Sequence, residues 1–208
     1  ILDSGVSFSE DVNVAQKVSL IDETKEADVL FDDLTGHGTG IAGIIAAQDN
    51  EEGITGINPG AEIYSIHILD ENNQATLSKV VAGIYEAIDA GCKIINMSFG
   101  TPVDSEVLHN AVKDAHEKGI LMIAAAGNTK GGQVEYPAAY EEVMAVGASD
   151  IMGNKDEETS DGSEIEIFAP GNQVPVTGLF DGVAVVNGTS ISTAQVTGAA
   201  SVLWEMNE

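Results

Sequence analysis

Short apolar runs alternate with amphipathic runs along this chain, which predicts an α/β fold: one domain with a mostly parallel central β-sheet flanked by helices. Two further observations support it. Glycines stop the amphipathic runs at Gly91 and Gly119. A final helical pattern is rich in small residues and apolar on most sides, as a helix buried against a sheet would be. No repeat, linker or low-complexity tract divides the sequence, so residues 1–208 read as one domain, truncated at its start because Ile1 already begins a strand.

In chain order, Ile1 to Asp3 reads as a short strand ending in an acid, and the stretch after His37 as an apolar helix. Strands are expected at Ile63 to Ile68, Ile94 to Met97, Leu121 to Ala125, Val143 to Gly147 and Ile165 to Phe168, where runs of β-branched and small apolar residues are too short for helices. Ser78 to Ala90 places Val81, Ile84, Tyr85 and Ile88 on one helical face. Ser105 to Lys118 does the same with Val107, Leu108, Ala111, Val112 and Ala115. The last helix begins near Thr189 and carries Ala194, Val196, Ala199, Ala200, Val202 and Leu203.

Composition narrows the function. The net charge is −26, from 34 acidic residues against 8 lysines and no arginine. Phosphate would be repelled, so nucleic acid and anionic membrane surfaces are excluded as partners. No apolar run is long enough to span a bilayer. The acidity reads first as a solvated surface, since charge on this scale is usually a solvated face, with cation binding, attraction of basic peptides and a high-salt habitat as the other readings. The single cysteine, Cys92, rules out an internal disulfide and reads as a packing residue.

Three segments carry chemistry: Ile-Leu-Asp-Ser-Gly at 1–5, Gly-His-Gly-Thr-Gly at 36–40 and Gly-Thr-Ser-Ile-Ser-Thr-Ala at 188–194. They supply an acid at a strand end, and a histidine and a serine each at a glycine-flanked helix start. Serine-mediated amide hydrolysis needs those three side chains: a hydroxyl to attack, an imidazole to take its proton, and a carboxylate to orient the ring. Gly36 and Gly38 are expected to let backbone crowd the His37 ring, and Gly188 to turn the chain so that Ser190 opens a helix.

In the order Asp, His, Ser these motifs resemble the subtilisin-like serine proteases, and the resemblance runs through nearly the whole chain. It implies a subtilisin-like fold, a serine endopeptidase activity and a catalytic set of Asp3, His37, Ser190 and Asn128. Asn128, which ends Ile-Ala-Ala-Ala-Gly-Asn, would donate to the oxyanion beside the Ser190 N–H. No cofactor for catalysis is implied. Substrate would bind as an extended strand between Ser98, Phe99 and Gly100 on one side and Asn73, Gln74 and Ala75 on the other, with Leu77 and Val80 lining an apolar pocket.

Tyr136-Pro137 resembles a cis landmark behind the primary pocket, which would place Glu135 on the pocket floor and favour Lys or Arg before the cut. Asp33 would add acidity to the neighbouring pocket. Both acids also read as solvent-facing loop residues. The resemblance further implies a calcium loop, with backbone carbonyls of Gln48, Glu52 and Ile54, the Asn50 side chain and the Asp11 carboxylate as ligands. The family also uses an N-terminal residue that is absent here.

Gly40 and the run Ser192 to Gln195 depart from the family's usual motifs, as in some precursor-processing relatives. The chain also stops soon after the last helix, so a propeptide or flanking segment is an expected partner. A secreted or cell-envelope location is favoured. The alternative function is a catalytically silent, peptide-binding relative.

Overall fold

The computed structural model describes residues 1–21 and 33–207. Its core is a seven-stranded sheet in the order β2-β3-β1-β4-β5-β6-β7, with every neighbouring pair parallel. The strands are β1 (Leu2–Asp3), β2 (Val14–Ser19), β3 (Ile63–His67), β4 (Ile94–Met97), β5 (Leu121–Ala125), β6 (Val143–Ser149) and β7 (Ile165–Pro170). The helices are α1 (His37–Ala46), α2 (Leu77–Asp89), α3 (Glu106–Glu117) and α4 (Thr189–Glu205). A separate antiparallel hairpin pairs β8 (Val174–Thr177) with β9 (Val183–Val186).

The central strands are buried on both faces, and for that reason they read as continuous apolar runs. Met122 and Ala124 of β5 pack under α2 and α3, with Ile84, Leu108, Ala111 and Val112. Ile123 faces the other way, with Val146 and with Val196 of α4. Each such aliphatic side chain, fully buried, contributes roughly 1.5–3 kcal/mol. Ser105 caps α3 by accepting the Leu108 N–H.

The strand order reverses at β1. The chain leaves β1 for β2 and β3 on one side, then crosses to β4 on the other. A parallel sheet opens a crevice at such a switch point, outside the carboxyl ends of its strands. Asp3 ends β1 at that point.

Three sequence expectations change. Tyr85 and Val107 were assigned to inward faces but are 40% and 58% exposed. The buried faces are Val80, Gly83, Ile84 and Ala87 on α2, and Leu108, Ala111, Val112 and Ala115 on α3. Only the first half of α4 is buried, up to Gly198, while Ala199 and Leu203 face outward. Strands β2, β8 and β9 were not anticipated. β2 is a mostly exposed edge strand carrying Lys17, and β9 turns Val183 and Val185 outward, so neither shows an inward apolar stripe. Tyr136–Pro137 is cis, as its sequence context suggested.

Glycine has a sharp role at Gly38, in the first turn of α1. A methyl there would sit 2.1 Å from the Gly5 carbonyl oxygen and 3.1 Å from Asp3 Oδ1. The close approach is therefore to the end of β1. Gly38→Ala is expected to lower stability by about 1–3 kcal/mol, read as a fall in Tm of roughly 2–4 °C for each kcal/mol. Gly91→Ala has a left-handed φ of 73° but nothing within 4 Å of the added methyl. It should therefore cost only the backbone strain, about 1–2 kcal/mol, and leave the Asp3–His37 contact intact. Equal loss of that contact in both variants would contradict this reading.

Candidate active site

Because α1 starts hard against the end of β1, its first residue reaches the strand's acid. His37 Nδ1 lies 2.6 Å from Asp3 Oδ1. Asp3 is 1% exposed and His37 26%. Asp3 Oδ1 also accepts the Ser4 N–H at 2.8 Å, while the buried Oδ2 has no hydrogen-bond partner among the described residues. Nδ1 facing a carboxylate carries the proton, which leaves Nε2 as the basic nitrogen. Burial opposes protonation of the ring, but the Asp3 charge, its hydrogen bond and the Asp33 charge overcome it and raise the His37 pKa above 6.5.

Gly188, at φ 130°, turns the chain out of β9 and into α4. Ser190 is thereby the second residue of that helix. Its hydroxyl donates to the Ser98 carbonyl at 2.8 Å, and the Ser98 hydroxyl donates back to the Ser190 carbonyl at 3.0 Å. No hydrogen bond joins Ser190 to His37 here, and catalytic hydrogen bonds commonly tighten only once substrate is bound.

Asn128 follows β5. Its Oδ1 accepts the Thr189 N–H at 3.0 Å, which fixes the carboxamide. Thr189 Oγ1 in turn accepts the Gly127 N–H. The Asn128 Nδ2 donors and the Ser190 N–H have no acceptor among the described residues. Free donors at a helix N-terminus suit a developing negative charge.

Glu135 lies between two backbone walls. A methyl at Gly100 would meet its Oε2 at 2.5 Å, and one at Gly127 at 2.9 Å. Its carboxylate has no hydrogen bond among the described residues, and burial pushes its pKa up. Lysines of the adjoining loops are engaged elsewhere: Lys130 with Glu157 and Glu158, Lys155 with Asp161. Past Gly100 the edge closes, because Thr101 and Tyr136 exchange both backbone hydrogen bonds. The main chain of Phe99 and Gly100 is free of hydrogen bonds among the described residues.

The opposite edge differs from expectation. Asp70 locks it into a turn by accepting the Asn72 and Gln74 N–H groups. The Gln74 carbonyl accepts the Asp70 N–H, and Asn73 N donates back to the Asp70 carbonyl. The backbone of Gln74 is thus occupied, and Ala75 is the residue left open for pairing. Leu77 is 43% exposed beside it, whereas Val80 is a core residue.

Asp33 is also placed differently. It is wholly buried. Oδ1 accepts from Ser4 Oγ, Thr35 N and Gly36 N, and Oδ2 from Thr39 N and Thr39 Oγ1. An acid just before the Gly-His-Gly turn, ahead of a helix, is an N-cap signal that could have shown this role.

Asp11 and Asn50 of the candidate calcium loop meet, with Asn50 Nδ2 3.3 Å from Asp11 Oδ1. Thr177 donates to Asp11 Oδ2 at 3.2 Å. Asn50 Oδ1 is taken by the Glu52 N–H, and Gln48 Nε2 reaches the Pro59 carbonyl. Asp11 is 7% exposed, and its side-chain partners among the described residues are neutral, a setting that a hard cation would complement. No group of three or more His, Cys, Asp or Glu with metal-holding geometry occurs among the described residues. Cys92 is half-buried, and burial pushes its thiol pKa up, which suits a packing residue.

The profile of the subtilase family matches residues 1–208. The chain belongs to the subtilase family. It is 36% identical over 207 residues to Subtilisin Savinase of Lederbergia lenta, covering 100% of this chain and 76% of that protein. It is 39% identical over 203 residues to a thermostable alkaline protease of Halalkalibacterium halodurans, covering 98% of this chain and 55% of the relative. The minor extracellular protease Epr of Bacillus subtilis is 40% identical over 194 residues, covering 93% of this chain and 30% of the relative. The chain thus spans less than two thirds of the length of several relatives it matches. Against the subtilase pattern, Gly40 is accommodated by Val176 of the hairpin, whose Cγ2 would lie 3.1 Å from an added methyl.

The raised His37 pKa has a defined sign. Protonated His37 adds stability that is fully present below the ordinary imidazole value and is lost as pH rises through the raised one. A histidine NMR titration should place His37 above the ordinary value, and Asp3→Asn should bring it down. An unchanged titration in Asp3→Asn would contradict the pairing.

Proposed function

We propose that this subtilase chain is a serine endopeptidase acting through Asp3, His37, Ser190 and Asn128. The observation that carries the reading is the 2.6 Å Asp3–His37 contact, set across the sheet's switch point beside a serine at a helix start. Ser190 Oγ leaves the Ser98 carbonyl, gives its proton to His37 Nε2 and attacks the peptide carbonyl carbon. The tetrahedral oxyanion takes hydrogen bonds from Asn128 Nδ2 and the Ser190 N–H, while Asp3 stabilises the imidazolium. His37 then protonates the leaving amine, and the acyl–Ser190 bond is cleaved by water with His37 again as base. No cofactor takes part.

Substrate binds as an extended strand along Ser98, Phe99 and Gly100, with Ala75 opposite. The residue before the cut is Lys or Arg. Its cation meets the Glu135 carboxylate, which otherwise stays part-buried and unpaired between Gly100 and Gly127. The net charge of −26 steers basic peptides toward the same place. Cleavage after a basic residue suits precursor processing, and the extracellular protease among the relatives supports a secreted location. No helix among the described residues is long and apolar enough to cross a membrane. A propeptide or flanking segment would bind in the same extended manner.

Calcium, where bound, is held by Asp11 and Asn50 with carbonyls of Gln48, Glu52 and Ile54, and acts on stability alone. Ca²⁺ at a hundred times its Kd should then stabilise by about 2.7 kcal/mol, and Asp11→Asn should remove the gain. No Tm response in the unmutated protein would exclude the site.

One observation favours the silent alternative: the Ser190 hydroxyl rests on Ser98, not on His37. Kinetics decide between the two. Ser190→Ala should lower kcat by roughly 10⁶-fold, the scale set by loss of a triad serine. Glu135→Gly should erase the advantage of Lys and Arg peptides over matched Leu peptides while Leu turnover persists. The advantage should also fade as pH drops and Glu135 is protonated. Hydrolysis unchanged in Ser190→Ala would overturn the assignment, and an unchanged ranking in Glu135→Gly would overturn the specificity.

A further inference from the structure

Asp33 and Asp3 are two buried carboxylates joined by one hydroxyl. Ser4 Oγ lies 2.9 Å from Asp33 Oδ1 and 3.2 Å from Asp3 Oδ1. A hydroxyl has a single proton to give, so the two acids compete for it. The shorter contact is to Asp33. With that proton drawn away, Asp3 Oδ1 keeps only the Ser4 N–H and the His37 ring as close partners among the described residues, and Asp3 Oδ2 has none there. The Asp3 charge is therefore spent chiefly on His37.

Asp33 is itself held rigidly. The backbone N–H groups of Thr35, Gly36 and Thr39 and the hydroxyls of Ser4, Thr35 and Thr39 all point at it. Those donors, with the N-terminus of α1, supply its carboxylate oxygens with hydrogen bonds although it is wholly buried. Ser4 Oγ also accepts the Gly38 N–H at 3.0 Å, so the same hydroxyl ties β1 to the first turn of α1.

We propose that Asp33 is a positioning residue of the active site: it takes the Ser4 proton away from Asp3, and as a second buried negative charge it stabilises the His37 imidazolium. The proposal rests on the serine-protease reading for its effect on rate but not for its effect on His37. Among the described side chains, the charged groups acting on the ring are Asp3 from β1 and Asp33 from the segment before α1. α4, packed along α1, brings the neutral Ser190, and the β8–β9 hairpin meets this turn through Leu179 against Gly36.

The sign follows directly. In Asp33→Asn one charge is gone and the Ser4 proton returns to Asp3, so two changes weaken the pull on the imidazolium. The His37 titration moves to lower pH. The acid limb of kcat/KM moves with it, and the plateau kcat falls roughly tenfold as the imidazolium formed in the transition state loses support. KM for a matched peptide stays near its original value, because Asp33 does not reach the groove. Ser4→Ala is the control that separates charge from scaffolding. It removes the bridge and the Gly38 contact but keeps Asp33, so its His37 titration should stay close to that of the unmutated protein.

The test is an NMR titration of His37 in the Ser190→Ala background, where no turnover occurs, for the Asp33 and Ser4 variants, with kcat and KM pH profiles on the Ser190 forms. A lower His37 titration in Asp33→Asn, with little change in Ser4→Ala, supports the proposal. An unmoved titration in folded Asp33→Asn, or equal shifts in both variants, overturns it. Should Asp33→Asn fail to fold, Asp33→Ser in the same titration applies the same criterion. Absence of hydrolysis by the unmutated protein would reject the protease reading while leaving the titration result valid.

Discussion

Everything in the proposed chemistry hangs on one close approach, the first turn of α1 pressed against the end of β1. Gly38 permits it, since any side chain there would run into the Gly5 carbonyl. That contact sets His37 on Asp3, and it occurs where the strand order reverses and the sheet opens a crevice. The remaining groups arrive from the carboxyl ends of neighbouring parallel strands: Ser98 after β4 and Asn128 after β5. Ser190 is delivered by the hairpin that turns into α4. The architecture gathers residues far apart in sequence because every parallel strand ends on the same side.

A second theme is the handling of negative charge. A chain with 34 acids could easily destabilise itself by repulsion. Its buried acids are treated individually. Asp33 is saturated by N–H and hydroxyl donors. Asp3 turns one oxygen to His37 and Ser4, and its other oxygen has no partner among the described residues. Glu135 has no partner among the described residues at all. These are different physical states of one functional group. Saturation suits the positioning role proposed for Asp33, and an acid with no partner among the described residues suits the basic specificity proposed for Glu135.

Much of this was legible in the sequence, and the failures share a cause. β4, β5 and α3 were readable because both-face burial or a 3.6-residue stripe leaves a pattern. The candidate set Asp3, His37, Ser190 and Asn128 stood out because each lies within a motif of several residues. Asp33 was noticed for its charge and misplaced, because in a chain this acidic one more acid carries little information; its partners, not its identity, define its role. The turn locked by Asp70 and the reciprocal Ser98–Ser190 hydrogen bonds have no periodic signature. The β8–β9 hairpin was missed because Val183 and Val185 of β9 face outward, against the alternation that usually betrays a strand.

The most direct measurement of the central claim is a crystal structure of the protein after reaction with a peptidyl phosphonate bearing Lys at the position before the reactive phosphorus. The account requires phosphorus bonded to Ser190 Oγ and a phosphoryl oxygen within hydrogen-bond distance of Asn128 Nδ2 and the Ser190 N–H. It also requires His37 still paired with Asp3, and the lysine ammonium against Glu135. A protein left unlabelled, or labelled at another residue, or one in which the lysine turns away from Glu135 into solvent, would contradict it.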